Sequence, residues 1–233
     1  MFPTWKVTEY AGDEARRRCR FDPELPVYLA VDPGGTYAVA AIQLKHFPDL
    51  RYENEIAKGH HICVIDTLYF QTTVTTQEVF DAMKHRTWWP NLGRQVEWWE
   101  AFQGAIDVMA KEQQRAFRNL ARTEETIDRL NLRGRKVHIL DGIKTHQHYL
   151  DTHTFWSHPK NRYLNIEHKR YHWPEATVAN MDTQDPRKGL KPVNEWNHLL
   201  KAIWYFEVIK FGCYGRSQGK AALSLSEILG RAT

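Results

Sequence analysis

Three strand-like runs follow one another with no helix between them, and that succession limits the fold most. VYLAVD (27–32) and TYAVAAIQL (36–44) are nearly continuous apolar stretches joined by a turn containing Gly34 and Gly35. So short a link can only reverse the chain, so the two runs form an antiparallel hairpin. HICVIDTLYF (61–70), rich in branched and aromatic residues, is a third strand. After it the pattern alternates. QEVFDAMKH is an amphipathic helix opened by Thr75–Gln77, with Val79, Phe80 and Met83 on one stripe. GAIDVMA (104–110) reads as a short buried strand running into the polar helix KEQQRAFRNLARTEETIDRLNLR. GRKVHIL (134–140) reads as a strand, GIKTHQHYLDTHTFW as a helix, and RYLNIEHKRYHWPE (162–175) as two short strands or a hairpin. VNEWNHLLKAIWYFEVIKFG is a closing helix, with Pro192 near its start, Asn194 as its cap and Gly212 at its end.

The order β-β-β-α-β-α-β-α predicts an α/β fold, a mixed sheet with helices on both faces. It resembles the ribonuclease H-like order, in which the first strand is central, the fourth lies beside it and the third is an edge strand. Residues 1–26, polar and Arg-rich at 16–18, read as a linker-like leader, 27–212 as one domain, and 213–233 as a tail. No apolar run reaches the ~18–20 residues of a membrane span, and the first residues lack the apolar core of a signal peptide. A soluble protein of the cytoplasm is expected. Cys19, Cys63 and Cys213 are too far apart for a zinc ribbon or a disulfide framework. Trp88, Trp89, Trp98 and Trp99 serve either as core or as a docking patch.

Chemistry is expected where strands end, because α/β sheets bind ligands at the carboxyl ends of their strands. Asp32 closes the first strand and Asp107 sits in its expected neighbour. Each alone is equally well a turn cap or a solvated strand end. Together they would repel unless a divalent cation lay between them. Asp66, on the third strand, is a secondary candidate with a structural role favoured. On the closing helix Asn194, His198, Lys201 and Tyr205 share a stripe.

The run KPVNEWNHLLKAIWY (191–205) resembles the last helix of the nuclease domain of the large terminase subunit of tailed phages. That family shows an Asp/Asn-His pair, two residues, then Asp-Ala-Leu-x-Tyr. Here Asn197 and His198 form the pair, and Ala202, Ile203 and Tyr205 follow in phase. VYLAVDPGG is similar to the family's first-strand aspartate motif, and GAIDVMAKEQQ to its second-acid strand. HICVIDTLYFQTTVTTQEV is similar to its edge strand and following helix. The resemblance implies a Mg2+- or Mn2+-dependent endonuclease that cuts concatemeric viral DNA during packaging, with two ions expected and little sequence preference. It implies Asp32 and Asp107 as metal carboxylates and His198 as the helix histidine beside them. It departs at Lys201, where the family has its third Asp. Glu195 or Asn197 could supply the missing oxygen, or only one metal binds well, or the domain is a degenerate nuclease that grips DNA or the motor without cutting.

The implied partners are double-stranded DNA, a terminase ATPase domain, the small terminase subunit and the portal, in a host cytoplasm. The ATPase phosphate loop GxxxxGK[ST] is missing, since GRSQGKAAL (215–223) has the wrong spacing. Basic residues suited to phosphate contact are Lys144, His146, Lys160, Arg162, Lys169, Arg170, Arg187, Lys188 and Lys191. A sugar-kinase-like ATPase reading rests on DPGGT alone, and DGIK (141–144) is a poor second loop for it.

Overall fold

A computed structural model describes residues 12–47, 51–52, 55–56, 60–92, 102–124, 130–171 and 197–214. In chain order the elements are helix α1 (Asp13–Arg18) and strands β1 (Tyr28–Asp32), β2 (Tyr37–Lys45), β3 (Arg51–Tyr52), β4 (Glu55–Ile56) and β5 (His61–Phe70). Helix α2 (Thr76–Lys84), β6 (Gly104–Ile106), α3 (Lys111–Arg122), β7 (Leu132–Gly134) and α4 (Ile139–Asp151) follow. Strand β8 (Phe155–Ser157), α5 (Arg162–Arg170) and α6 (His198–Phe211) complete the described chain.

The main sheet has the order β7-β6-β1-β2-β5-β8. The turn at 33–36 makes β1 and β2 antiparallel, with Asp32 opposite Ala38, and β5 adds antiparallel to β2. β6 joins β1 in parallel, β7 joins β6 and β8 joins β5. The chain therefore has the ribonuclease H-like mixed sheet, with β1 central and β6 beside it.

Strand alternation sorts the apolar side chains into two cores. Tyr28, Ala30, Ala40, Ile42, Ile62 and Val64 face α6, which inserts Leu199, Ile203, Trp204 and Phe206. Leu29, Val31, Val39, Ala41 and Ile106 face the other way, onto Val79, Phe80 and Met83 of α2 and Phe117 of α3. Trp88 and Trp89 belong to that second core, whereas Trp98 and Trp99 lie outside the described residues. Helix α2 starts at a reciprocal cap between Thr75 and Glu78.

Three expectations are corrected. β5 is not an edge strand, because β8 pairs along its outer side. The strand expected over 134–140 is Leu132–Gly134, since the His138 ring caps the backbone N–H of Leu140 and starts α4 there. The hairpin expected over 162–175 is helix α5 in its described part; Leu164, Glu167 and His168 form a helical stripe and all three are buried. The described part of residues 1–26 packs against the sheet. Ala15 and Cys19 of the α1 region are buried with Cys63 and Trp156, and Arg18 lies 4.5 Å from the Phe47 ring centroid. No described helix is long and apolar enough to cross a membrane.

Candidate active site

The parallel register Leu29↔Gly104, Ala30↔Ala105, Val31↔Ile106 carries Asp32 level with Asp107, the residue that follows β6. Adjacent strands lie ~4.8 Å apart, so the two backbones bring the acids side by side. Val31 and Ile106 point into the α2–α3 core, and their successors turn to the α6 face. There α6 meets both. His198 Nδ1 is 3.0 Å from Asp32 Oδ2, and the Tyr205 hydroxyl donates to Asp107 Oδ2 at 3.0 Å. The other oxygen of Asp107 accepts the Met109 backbone N–H at 2.8 Å. Burial, with Asp107 and Asp32 next in turn, pushes the Tyr205 phenol well above its ordinary range, so it stays a donor. Lys201, half-buried, lies between His198 and Tyr205 on the same helical stripe.

His198 therefore meets Asp32, Tyr205 meets Asp107, and the strand register sets the two aspartates on neighbouring strands. Asp66 lies apart from them: it sits on the α2 face, where Trp88 Nε1 donates to it at 2.9 Å and Lys160 and Arg86 lie at 3.3 and 3.6 Å. Asn197 is buried just before α6, beside the Tyr171 side chain. Glu195 and Asn194 lie outside the described residues. Two aspartates offer the hard oxygens that Mg2+ and Mn2+ prefer, with water filling the remaining positions. Among the described residues no group of three His, Cys, Asp or Glu side chains gathers around one point.

One acid at this site went unread in the sequence. Glu167 of α5 is fully buried and accepts the backbone N–H groups of Leu199 at 3.2 Å and Leu200 at 2.9 Å. Burial pushes its carboxyl up to about 7, against the pull of those backbone donors and of His198. Tyr69 hydrogen-bonds to it, and the Tyr69 ring lies 6.4 Å from that of His198 and stacks on Tyr163 at 4.4 Å. The spacing Leu164–Glu167–His168 was the available signal, had 162–170 been read as helix.

His146 is not a DNA contact. It is wholly buried, with Nδ1 2.8 Å from Glu207 Oε1 and Nε2 2.9 Å from His168 Nε2. His168 Nδ1 faces the Leu164 carbonyl at 2.9 Å and must carry a hydrogen, so its Nε2 accepts from His146. His146 Nδ1 is then bare, and Glu207 is the protonated donor. Burial explains this, lowering His146 to about 3, lowering His168 well below its usual range and raising Glu207.

A pH dependence follows. Below about 6.5 the unfolded chain protonates two histidines that the folded chain keeps neutral, so stability falls with falling pH. Glu207 acts oppositely: unfolded it ionises above 4.5, so its share is lost as the pH rises. His61, lowered to about 4, and Glu167, raised to about 7, enter with opposite signs and cancel below 6.5. His148 and His158, also lowered by burial, add to the histidine side, so stability rises with pH between about 4.5 and 6.5 and falls above it. Urea unfolding from pH 5 to 8 should therefore show a maximum near 6.5; stability climbing steadily to pH 8 would contradict the neutral network.

Lys144 on α4 and Arg162, Lys169 and Arg170 on α5 are exposed, as is Lys160 with its partner Asp66. Arg187, Lys188 and Lys191 lie outside the described residues.

No protein-family model and no curated protein matches the chain. Among solved structures it is similar to the large terminase of a thermophilic bacteriophage, with a TM-score of 0.60 and 17% identity over 89% of this chain and 43% of that one. The same terminase in complex with ADP gives 0.60 and 18%, over 91% and 45%. The g2p (large terminase) nuclease domain of bacteriophage SPP1 with bound Mn gives 0.48 and 14%, over 82% and 88%. At these identities the likeness is one of fold alone, and the chain spans less than half the length of the thermophilic phage's terminase.

Proposed function

We propose that the chain is a metal-dependent DNA endonuclease domain that cuts concatemeric viral DNA during packaging. The observation that carries the reading is the in-register pairing of β1 with β6, which sets Asp32 and Asp107 side by side under α6. Asp32 and Asp107 would hold Mg2+ or Mn2+, and Glu195 or Asn197 would complete the set. The bound metal supplies an activated water and a Lewis acid for the leaving oxygen, two ions sharing these tasks in the two-metal form. His198 orients Asp32, and Tyr205 orients Asp107 by donating to one of its oxygens. Lys201, a cation on the same stripe, offsets part of the acids' charge and favours one tightly held ion with a second held more weakly.

Double-stranded DNA is the substrate, and a terminase ATPase domain, the small subunit and the portal are the partners. The test is nicking of supercoiled plasmid by the purified protein with Mn2+, with Mg2+ and with chelator. Cutting that requires the cation supports the reading. DNA binding without cutting would turn it into the degenerate form.

The exposed cations of α5 would contact phosphates. Replacing Arg162, Lys169 and Arg170 together by alanine should weaken DNA binding for every sequence alike and flatten the salt dependence of log K by roughly 2–3. An unchanged slope in a salt titration would remove α5 from the interface.

A further inference from the structure

Helix α6 carries both contacts to the paired acids, so its placement decides whether His198 reaches Asp32. Its first-turn N–H groups have no partner within the helix. Asn197, the residue at its N-cap, makes no side-chain capping bond. The carboxylate that takes this part comes from α5, where both oxygens of Glu167 are used, one on Leu199 N–H and one on Leu200 N–H. Near neutral pH, where Glu167 begins to ionise, the helix dipole also favours its negative form at this terminus. The next residue of α5, His168, holds α6 a second time through His146 and Glu207.

We propose that Glu167 is a positioning residue: by clamping the first turn of α6 it holds the His198 imidazole on Asp32. Its effect on cleavage rests on the nuclease reading above, whereas its effect on the His198–Asp32 contact does not. A residue that only stabilised the fold would lower stability and leave that contact intact.

Glu167→Gln keeps the shape but turns an amide N–H2 toward a backbone N–H, so one of the two bonds is lost. The first measurement is solvent exchange of the His198 Nδ1 proton, followed by NMR and assigned by its absence in His198→Gln. Its exchange should quicken roughly tenfold or more in Glu167→Gln. Met83→Ala, a cavity in the opposite core, should lower stability and leave the proton protected. The second measurement is a double-mutant cycle with Mn2+-dependent cleavage. Glu167→Gln should lower kcat roughly ten- to hundredfold with KM for DNA unchanged. In a His198→Ala background it should change kcat by less than about twofold.

Protection equal to wild type in Glu167→Gln, or losses that multiply in the double variant, would overturn the proposal. If the wild type does not cut, the nuclease reading fails and the exchange measurement still decides this one. If Glu167→Gln does not fold, Glu167→Asp, which withdraws the carboxylate by one methylene, is measured in the same two ways with the same expected results.

Discussion

Gly104→Ala is expected to cost about 3 kcal/mol or more, and to remove cleavage with it. A Cβ at this position would stand 2.2 Å from the Leu29 carbonyl oxygen and 2.9 Å from the Leu29 nitrogen, with Leu132 Cδ2 at 2.8 Å. Two of these are backbone atoms of β1 and cannot turn aside as a side-chain tip would. The strain falls on the pairing that sets Asp32 beside Asp107, so stability and site geometry should fail together. Gly35→Ala is the internal contrast: its Cβ would meet nothing within 4 Å, and its cost should stay within ~0.5 kcal/mol. Urea unfolding of both variants checks this, and equal midpoints would show that β1 and β6 are not so closely apposed.

Asp32→Asn and Asp107→Asn should separate activity from stability. Each keeps the side-chain shape and can still accept the bond from α6. At position 107 the amide N–H2 then faces the Met109 N–H, and that bond is lost. Each also removes one of two like charges that repel when no cation is bound. Cleavage should fall by roughly 10²–10⁴, while unfolding in chelator moves by no more than about 1 kcal/mol in either direction. Plasmid nicking and thermal unfolding on the same preparations read both quantities. Cutting at the wild-type rate by both variants would dismiss the pair as the catalytic centre.

The strands at the centre of the fold were legible because their pattern is local. Tyr28–Asp32 and Tyr37–Lys45 are apolar along almost their whole length, as strands covered on both faces must be, and the short turn between them leaves only a hairpin. Asp32 and Asp107 were legible for the same reason, each closing such a run. The peripheral elements were harder to read. Phe155–Ser157 is three residues long and follows α4 closely, so its aromatic residues looked like the end of the helix. Arg162–Arg170 mixes aromatic and branched residues with charge and suggested strands, yet burial of Leu164, Glu167 and His168 on one face makes it a helix.

That misreading hid Glu167, whose role exists only because α5 packs across the start of α6. His146 failed differently. Its neighbours Lys144, Thr145, Gln147 and His148 are polar, so it looked like surface. What permits its burial is Glu207, 61 residues further along, a partner that no local pattern announces.

Mn2+ soaked into crystals of the protein and located by anomalous scattering decides whether Asp32 and Asp107 share a divalent cation. A peak ligated by both carboxylates is expected, and its loss in Asp107→Asn. Saturating Mn2+ that leaves the two carboxylates in place with no peak between them, or a site built from other residues, would contradict the shared cation.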